Sequence, residues 1–554
     1  MFKFGHSAAL VAALLVSSAA NAQEVKDEYL ENEHMEYVPF QASDVFGAPA
    51  LPHGLTSATV KLSFDGISQY DVAAVGRNFI PPDTMGAIGK TQYMEMVNGG
   101  VAVFDKATGA RTSFVSDLAF WAGAGQIGAN GDSRVMFDAR SSRWIALSFG
   151  SSVSDIQIAV SRTSDALGPW QSTKFTGFAG GTADYPTLAL DNNAVYIGTN
   201  NYNGSGFFAG TTLNVIPLSS LVSALAPTTS GMTQFVTPYV SGDPGNDYTR
   251  GYAIQGVNSS DVTTTGHVIA ASLISADINS YDILNAGTAG ATRTASTFVG
   301  TASYDGNGPG RQPNAVPDIG STVDFPNNDR VIDTLDDRIG SSVYEVNGKI
   351  YSVHTVTPSG GDFTVVRWDI IDANTHALLG EGDIGDGMHD YYQGSLAVNQ
   401  LGQVVIGYDR SGFGADGVIT FATQIFRTVG NVLVPAGTEI VLRTSLVDDY
   451  HNGSIDGRIA LGRQRWGDYS AVSLDPTDSS KFWVIGEYAR EYNDPAGGHP
   501  LGTGGSRWGT WIAEIDAGAV PEPSSWLTML GGFGMLGIAL RRGRRTTAVT
   551  YDIA

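Results

Sequence analysis

The chain contains no cysteine, so disulfides, thiolate metal sites and thiol catalysis are all closed to it. Charge is scarce too, at 16% of residues against 42% hydrophobic, and the chain has 554 residues. A disordered chain shows the reverse balance, so a large packed core is expected. Positive charge is the scarcer sign, with 32 Lys and Arg against 55 Asp and Glu. Removing residues 1–22 and 524–554 takes away five basic residues and one acid, which leaves 27 basic and 54 acidic residues, a formal charge of −27. Such a surface repels nucleic acid and anionic lipid. Cations and neutral or cationic polymers fit it better, although solubility alone accounts for the charge. Long helical patterns are missing, apart from the two ends and a short stretch at 218–225. The nine histidines show no paired metal-binding spacing, and no P-loop or dinucleotide fingerprint occurs.

What is abundant are turn and strand formers: 69 Gly, 22 Pro, 22 Tyr, 24 Phe and 9 Trp. This is the composition of a turn-rich β protein.

Both ends read as addresses. Residues 1–22 carry a short basic start (Lys3, His6), an apolar run from Ala8 to Val16, and small residues at Ala20 and Ala22. That order is a signal peptide, with cleavage expected before Gln23 by signal peptidase after passage through the Sec machinery. At the other end Pro521-Glu522-Pro523 precedes an uncharged run, 524–540, and then Arg541, Arg542, Arg544 and Arg545. Seventeen residues without charge just cross a hydrocarbon core as a helix. The arginines hold their end in the cytoplasm, so the body lies outside the inner membrane.

Pro-Glu-Pro, a short apolar helix and a terminal Arg cluster resemble the PEP-CTERM sorting signal. The resemblance implies an exosortase-type protease as partner and a route from an inner-membrane intermediate to the cell surface or exterior. It also implies company with exopolysaccharide systems of Gram-negative bacteria. The tail Thr546 to Ala554 is longer than the family usually carries.

Between the ends, residues 23–77 form an acidic lead-in with one alternating segment, Ala58 to Phe64. From 78 to 516 a phrase recurs: a polar residue, small residues, an apolar strand, a turn, and a second apolar strand. Asp184-Tyr185-Pro186-Thr187-Leu188-Ala189-Leu190-Asp191 leads to Val195-Tyr196-Ile197-Gly198. Copies begin near Asp83, Asp132, Asp184, Gly251, Asp337, Asp390 and Asp468. Each unit is a hairpin that cannot bury both faces alone, and radial stacking solves this. The expected fold is all-β, a seven-bladed β-propeller; an array of β-sandwiches is the alternative. The expected organisation is signal peptide 1–22, lead-in 23–77, propeller 78–516, linker 517–523, transmembrane sorting helix 524–540 and basic tail 541–554.

Three phrases, Pro82 to Gly89, Ser161 to Trp170 and Trp466 to Ala471, make the body similar to secreted bacterial propellers with a sialidase-like blade pattern. That likeness implies fold more than function.

The chemistry is expected where the innermost strands begin, at one mouth of the axis. Asp83, Asp132, Asp184, Asp337, Asp390 and Asp468 belong there, with Arg134, Arg250, Arg338 and Arg465 and with Tyr185, Tyr391 and Tyr469 beside them. Carboxylates so placed repel unless a cation or arginine intervenes. Calcium on Asp132, Asp184, Asp390 and Asp468 is one reading, and capping of blade turns is the other. A sialidase-like site needs arginines, a Tyr nucleophile and carboxylic acids. The ingredients are present, but the Ser-x-Asp-x-Gly-x-Thr-Trp turn is not. A glycan-binding patch of Asp184, Tyr185, Arg338, Asp390, Tyr391, Arg465, Asp468 and Tyr469 is the expectation. The protein then reads as a non-catalytic surface or matrix protein binding glycan or exopolysaccharide. A sialidase-like hydrolase and a calcium-stabilised scaffold are the alternatives.

Overall fold

A computed structural model describes residues 59–223, 225–239, 251–273, 275–313, 331–448, 450, 463–492 and 506–518. The signal segment and the sorting segment lie outside them. Among the described residues no helix is long and apolar enough to cross a membrane.

The body is an all-β propeller. Its sheets are mainly antiparallel, built of strands rich in β-branched and aromatic residues, with a separate parallel pair, Val331–Asp333 beside Arg463–Arg465. Five sheets stand apart: 85–116, 134–176, 181–238, 390–444, and a closing sheet of Ala471–Leu474, Lys481–Tyr492, Ser506–Asp516 and Thr59–Ser68. A sixth sheet has nine strands and runs from Gln255 to Ile384. The expectation of seven blades is therefore corrected: five are separate, and two of the phrases share one sheet. Their inner strands pair in parallel, Val257 with Val343 through Ser259 with Glu345. Side-chain amides reinforce the seam, with Gln255 Nε2 donating to Ile339 O (2.7 Å) and Asn258 Nδ2 to Val343 O (3.0 Å). Alternation along a strand says which face is buried. It does not say which neighbour the strand's own edge will meet.

The alternating segment inside the acidic lead-in becomes strand Thr59–Ser68, and it pairs antiparallel with the last strand, Ser506–Asp516. The chain's two ends thus complete one sheet. Glu95 of the first blade ties the closure. It accepts Ile67 N–H at 2.9 Å and the Thr510 hydroxyl at 2.5 Å. Gly66 is required there, since a Cβ would sit 2.6 Å from Glu95 Oε2.

Turns are fixed by side chains. Asp191 accepts from Asn193 N and Ala194 N and takes the Tyr196 hydroxyl. Asp372 and Asp475 cap their turns in the same way. At Asn347-Gly348 both residues have positive φ (54° and 73°), the two-residue hairpin turn that matches strand twist.

The core fills the spaces between sheets. Ala397, Val405, Phe421 and Ile425 of one sheet meet Val472, Phe482, Val484 and Ile515 of the next. Helices are short: Gln69–Ala74, Asp117–Gly123 and Leu218–Val222.

The propeller has two distinct faces. Inner strands run the same way, as the parallel pair at 257–259 shows directly. The mouth face holds the starts of the inner strands and the long connections between sheets. The turn face holds the hairpin turns at 89–91, 139–142, 191–193, 347–348, 399–402 and 475–480. Thr59 pairs with Asp516, so both ends of the body lie on the turn face.

Candidate functional site

Five inner strands are introduced by a residue with positive φ: Asp83 (49°), Asp132 (51°), Tyr185 (56°), Ala253 (52°) and Gln393 (56°). In each, the strand's ladder begins or resumes two residues later, at Met85, Arg134, Thr187, Gln255 and Ser395. No glycine relieves these kinks, and each costs on the order of 1–3 kcal/mol.

Asp83 is the hub. It accepts from Asn98 Nδ2 (2.6 Å) and from Asp468 N (2.8 Å), while Asn98 Oδ1 accepts Asp132 N–H (2.9 Å). Three consecutive residues just ahead of the closing sheet each donate to a buried carboxyl. Trp466 Nε1 donates to Asp409 (3.0 Å), Gly467 N to Glu487 (2.8 Å) and Asp468 N to Asp83. This explains the Trp-Gly-Asp-Tyr phrase and shows that two of the three phrases behind the family likeness touch. The third lies in a turn, where Asp165 takes Gln92 Nε2 at 2.8 Å.

Burial, and then Asp468, push the Asp83 carboxyl up to about 7. Asp132 is held well above the usual range by burial and by Asp83, Asp184 and Asp468. Asp184 is also raised by burial, against the pull of Arg338. The arginines answer these acids in part: Arg465 reaches Asp468 Oδ1 at 2.5 Å, and Arg338 grips Asp336 with two bonds of 2.5 and 2.6 Å.

Arg134 closes the axis. Its guanidinium carbon lies 3.4 Å from the Tyr469 ring centre and 5.0 Å from that of Tyr185. Nε and Nη1 donate to Pro186 O and Gly340 O, both at 3.3 Å, and Nη2 has no hydrogen-bond partner. Tyr185 OH donates to Gly340 O (2.8 Å) and Tyr469 OH to Ser133 O (3.1 Å). Burial pushes the Tyr185 phenol up to about 12 and raises that of Tyr469 as well.

Two expected members are elsewhere engaged. Asp390 is buried and bound by Arg311 through N (2.9 Å) and Nη1 (2.7 Å) and by Thr364 N (3.2 Å). Tyr391 packs on Tyr408 in the core, ring centres 5.4 Å apart. Neighbours on a strand point to opposite faces, and these two do. Asp337 is buried, and burial with Asp336 pushes it up to about 7. Arg250 lies outside the described residues.

Of the expected calcium set, Asp184 and Asp468 lie near enough to Asp132 to raise its carboxyl, while Asp390 is bound by Arg311. Among the described residues no three carboxylate or imidazole groups are arranged to hold a metal ion. Asp390 is held by Arg311 and Asp468 by Arg465, so the donor set does not fit calcium. Next to Tyr469 lies a shallow recess with room for little more than a water molecule, bordered by Asp336, Arg338, His354, Thr355 and Asp468.

Sequence reasoning missed several buried carboxyls. Asp409 and Glu487 each keep one oxygen without a partner, and burial raises both well above the usual range. Asp369 has both oxygens unpartnered and faces His354 Nε2 at 3.5 Å, with neither side chain exposed. Burial pushes Asp369 up to about 8 and His354 down to about 4. His354 Nδ1 meets Asp337 O at 2.8 Å, and Nε2, which faces Asp369, has no hydrogen-bond partner. An acid in the middle of an apolar strand was the available signal.

No characterised protein matches the chain by sequence. Solved structures similar to it include a thermostable family-43 glycoside hydrolase (12% identity, 68% of this chain and 87% of that one, TM-score 0.27). A protein of unknown function from Dyadobacter fermentans DSM 18053 matches at 10% identity over 82% and 99% of the two chains, TM-score 0.34. The Dos1 propeller matches at 8% identity over 84% and 96%, TM-score 0.35. Identities and scores this low say nothing about activity. Residues 519–545 match the PEP-CTERM protein-sorting motif, and the chain is therefore an exported surface protein that carries this sorting signal behind a β-propeller.

Proposed function

We propose that the protein is a non-catalytic component of the cell surface or extracellular matrix, whose propeller binds glycan or assembles with exopolysaccharide after exosortase processing. One observation carries this reading: the tyrosines of the mouth are structural. A glycosidase that uses tyrosine needs a phenol whose proton a neighbouring acid removes. Tyr469 and Tyr185 instead donate to backbone carbonyls around Arg134, and burial makes both harder to ionise. The rim of the recess, where Arg338, Asp336 and Asp468 offer hydrogen-bonding groups, is the proposed contact for a sugar.

The test is a glycan array probed with residues 23–519, with hydrolysis products monitored. Saturable binding without product is expected, weakened by Arg338→Ala. Turnover lost in Tyr469→Phe would replace the binder with a hydrolase.

A further inference from the structure

The body ends in a clamp. Gln403 is fully buried in the sheet 390–444, and its Nε2 donates to both Ala517 O and Gly518 O at 2.9 Å. Asn399 Nδ2 holds Gln403 Oε1 in turn at 2.8 Å. Ala517 N donates to Ser480 O (2.9 Å), and Gly518 N to Asp516 Oδ1 (2.8 Å). The chain is thus fixed through Gly518, and the sorting motif begins at the next residue, 519.

We infer that this clamp sets which way the propeller faces while it is held at the membrane: the turn face lies against the lipid, and the mouth with its acids points away. The inference rests on the reading of 524–540 as a membrane anchor. From Gly518 to Ser524 six residues span at most about 20 Å when extended. A body running from 59 to 518 has an expected radius of gyration of about 23 Å. The tether is therefore shorter than the body is wide, and Pro521 and Pro523 stiffen it further. The body has no slack with which to turn over.

Five of the six described lysines belong to the turn face: Lys61, Lys90, Lys106, Lys349 and Lys481. Lys61, Lys106 and Lys481 pair with Asp516, Asp475 and Glu514, so these three cancel charge rather than attract lipid, and the orientation rests on the tether.

The cysteine-free chain makes the test direct, because a single introduced thiol is unique. Leu401 (54% exposed) and Val262 (93%) lie in hairpin turns, and Phe207 (61%) and Phe413 (53%) on the mouth face. Leu401→Cys, Val262→Cys, Phe207→Cys and Phe413→Cys variants of the full chain are labelled with a fluorophore. They are reconstituted in phosphatidylethanolamine–phosphatidylglycerol vesicles carrying a headgroup quencher. Quenching several-fold greater at 401 and 262 than at 207 and 413 is expected. Adding Gln403→Ala should narrow the difference, with the melting temperature measured alongside to show that the body remains folded. Equal or reversed quenching overturns the orientation, and a difference untouched by Gln403→Ala overturns the role of the clamp. If the chain does not enter vesicles at all, the anchor reading fails and carries the inference with it.

Discussion

At the scale of single residues, the mouth is organised around a cation that is not fully satisfied. Arg134 sits between two tyrosine rings with one guanidinium nitrogen unpartnered, next to acids that burial keeps above their usual range. Removing it takes a donor from Pro186 O, leaves Gly340 O with Tyr185 OH, and strips two rings of their cation. Arg134→Met, which keeps most of the volume, should cost about 2–4 kcal/mol in urea unfolding. A loss within error of zero would mean that the plug contributes nothing. Tyr469→Phe should cost about 1–2 kcal/mol, because Ser133 O loses its donor inside the protein. The acids and arginines of this mouth were legible as a group, because each opens a recurring phrase. Their roles were not. The exclusion of Asp390 and Tyr391 follows from Arg311, which stands 79 residues from Asp390 in the chain and shares no local pattern with it.

At the scale of elements, strands were legible and their partners were not. Gly100–Asp105 and Val365–Asp372 follow the apolar runs closely. The parallel seam of the nine-stranded sheet has no counterpart in any local pattern, because an edge hydrogen bond leaves no mark on side-chain alternation. The clasp on the closing sheet was equally hidden. Glu95 reads as a stray acid in an apolar strand, yet it joins the first blade to both outer strands of the last. Burial pushes its carboxyl up from 4.5 to about 8. The folded state then binds the proton more tightly than the unfolded one. Its contribution is complete below pH 4.5 and is lost as pH rises towards 8. Glu95→Gln mimics the protonated form, so the variant should melt above the wild type at pH 9 and close to it at pH 5. The reverse order would show that the carboxylate, not the acid, holds the clasp. Gly66→Ala should destabilise at every pH, since its Cβ meets Glu95 and Thr510.

At the scale of the whole molecule, the same sign repeats. Asp83 and Asp337 are raised to about 7, and Glu95 and Asp369 to about 8, mainly by burial. Each favours the folded state at low pH and loses that advantage as pH climbs through the window between its ordinary and its folded value. His354 acts in the opposite sense, because burial lowers it to about 4 and acid must charge it. One histidine opposes four carboxyls, so the melting temperature should be highest in mild acid and fall steadily to pH 9. A flat profile, or a maximum above pH 8, would show that these acids are ionised in the folded protein. Adding calcium or a chelator should leave the curve in place, since the described carboxylates do not assemble a site. Composition and charge alone pointed to an acidic β protein, and the two ends to export. They could not show that part of its formal charge is suppressed by burial.

The pairing of Thr59–Ser68 with Ser506–Asp516 has a consequence in time as well as in space. If the chain is threaded N-terminus first, as a signal peptide implies, the propeller closes only when its last strand has crossed, and the sorting motif follows that strand almost at once. Completion of the fold then coincides with the arrival of the sorting segment. A chain cut after residue 505 should reach the exterior yet stay open to proteases, whereas one cut after 518 should be resistant. If both resist equally, the last strand is not the one that finishes the fold.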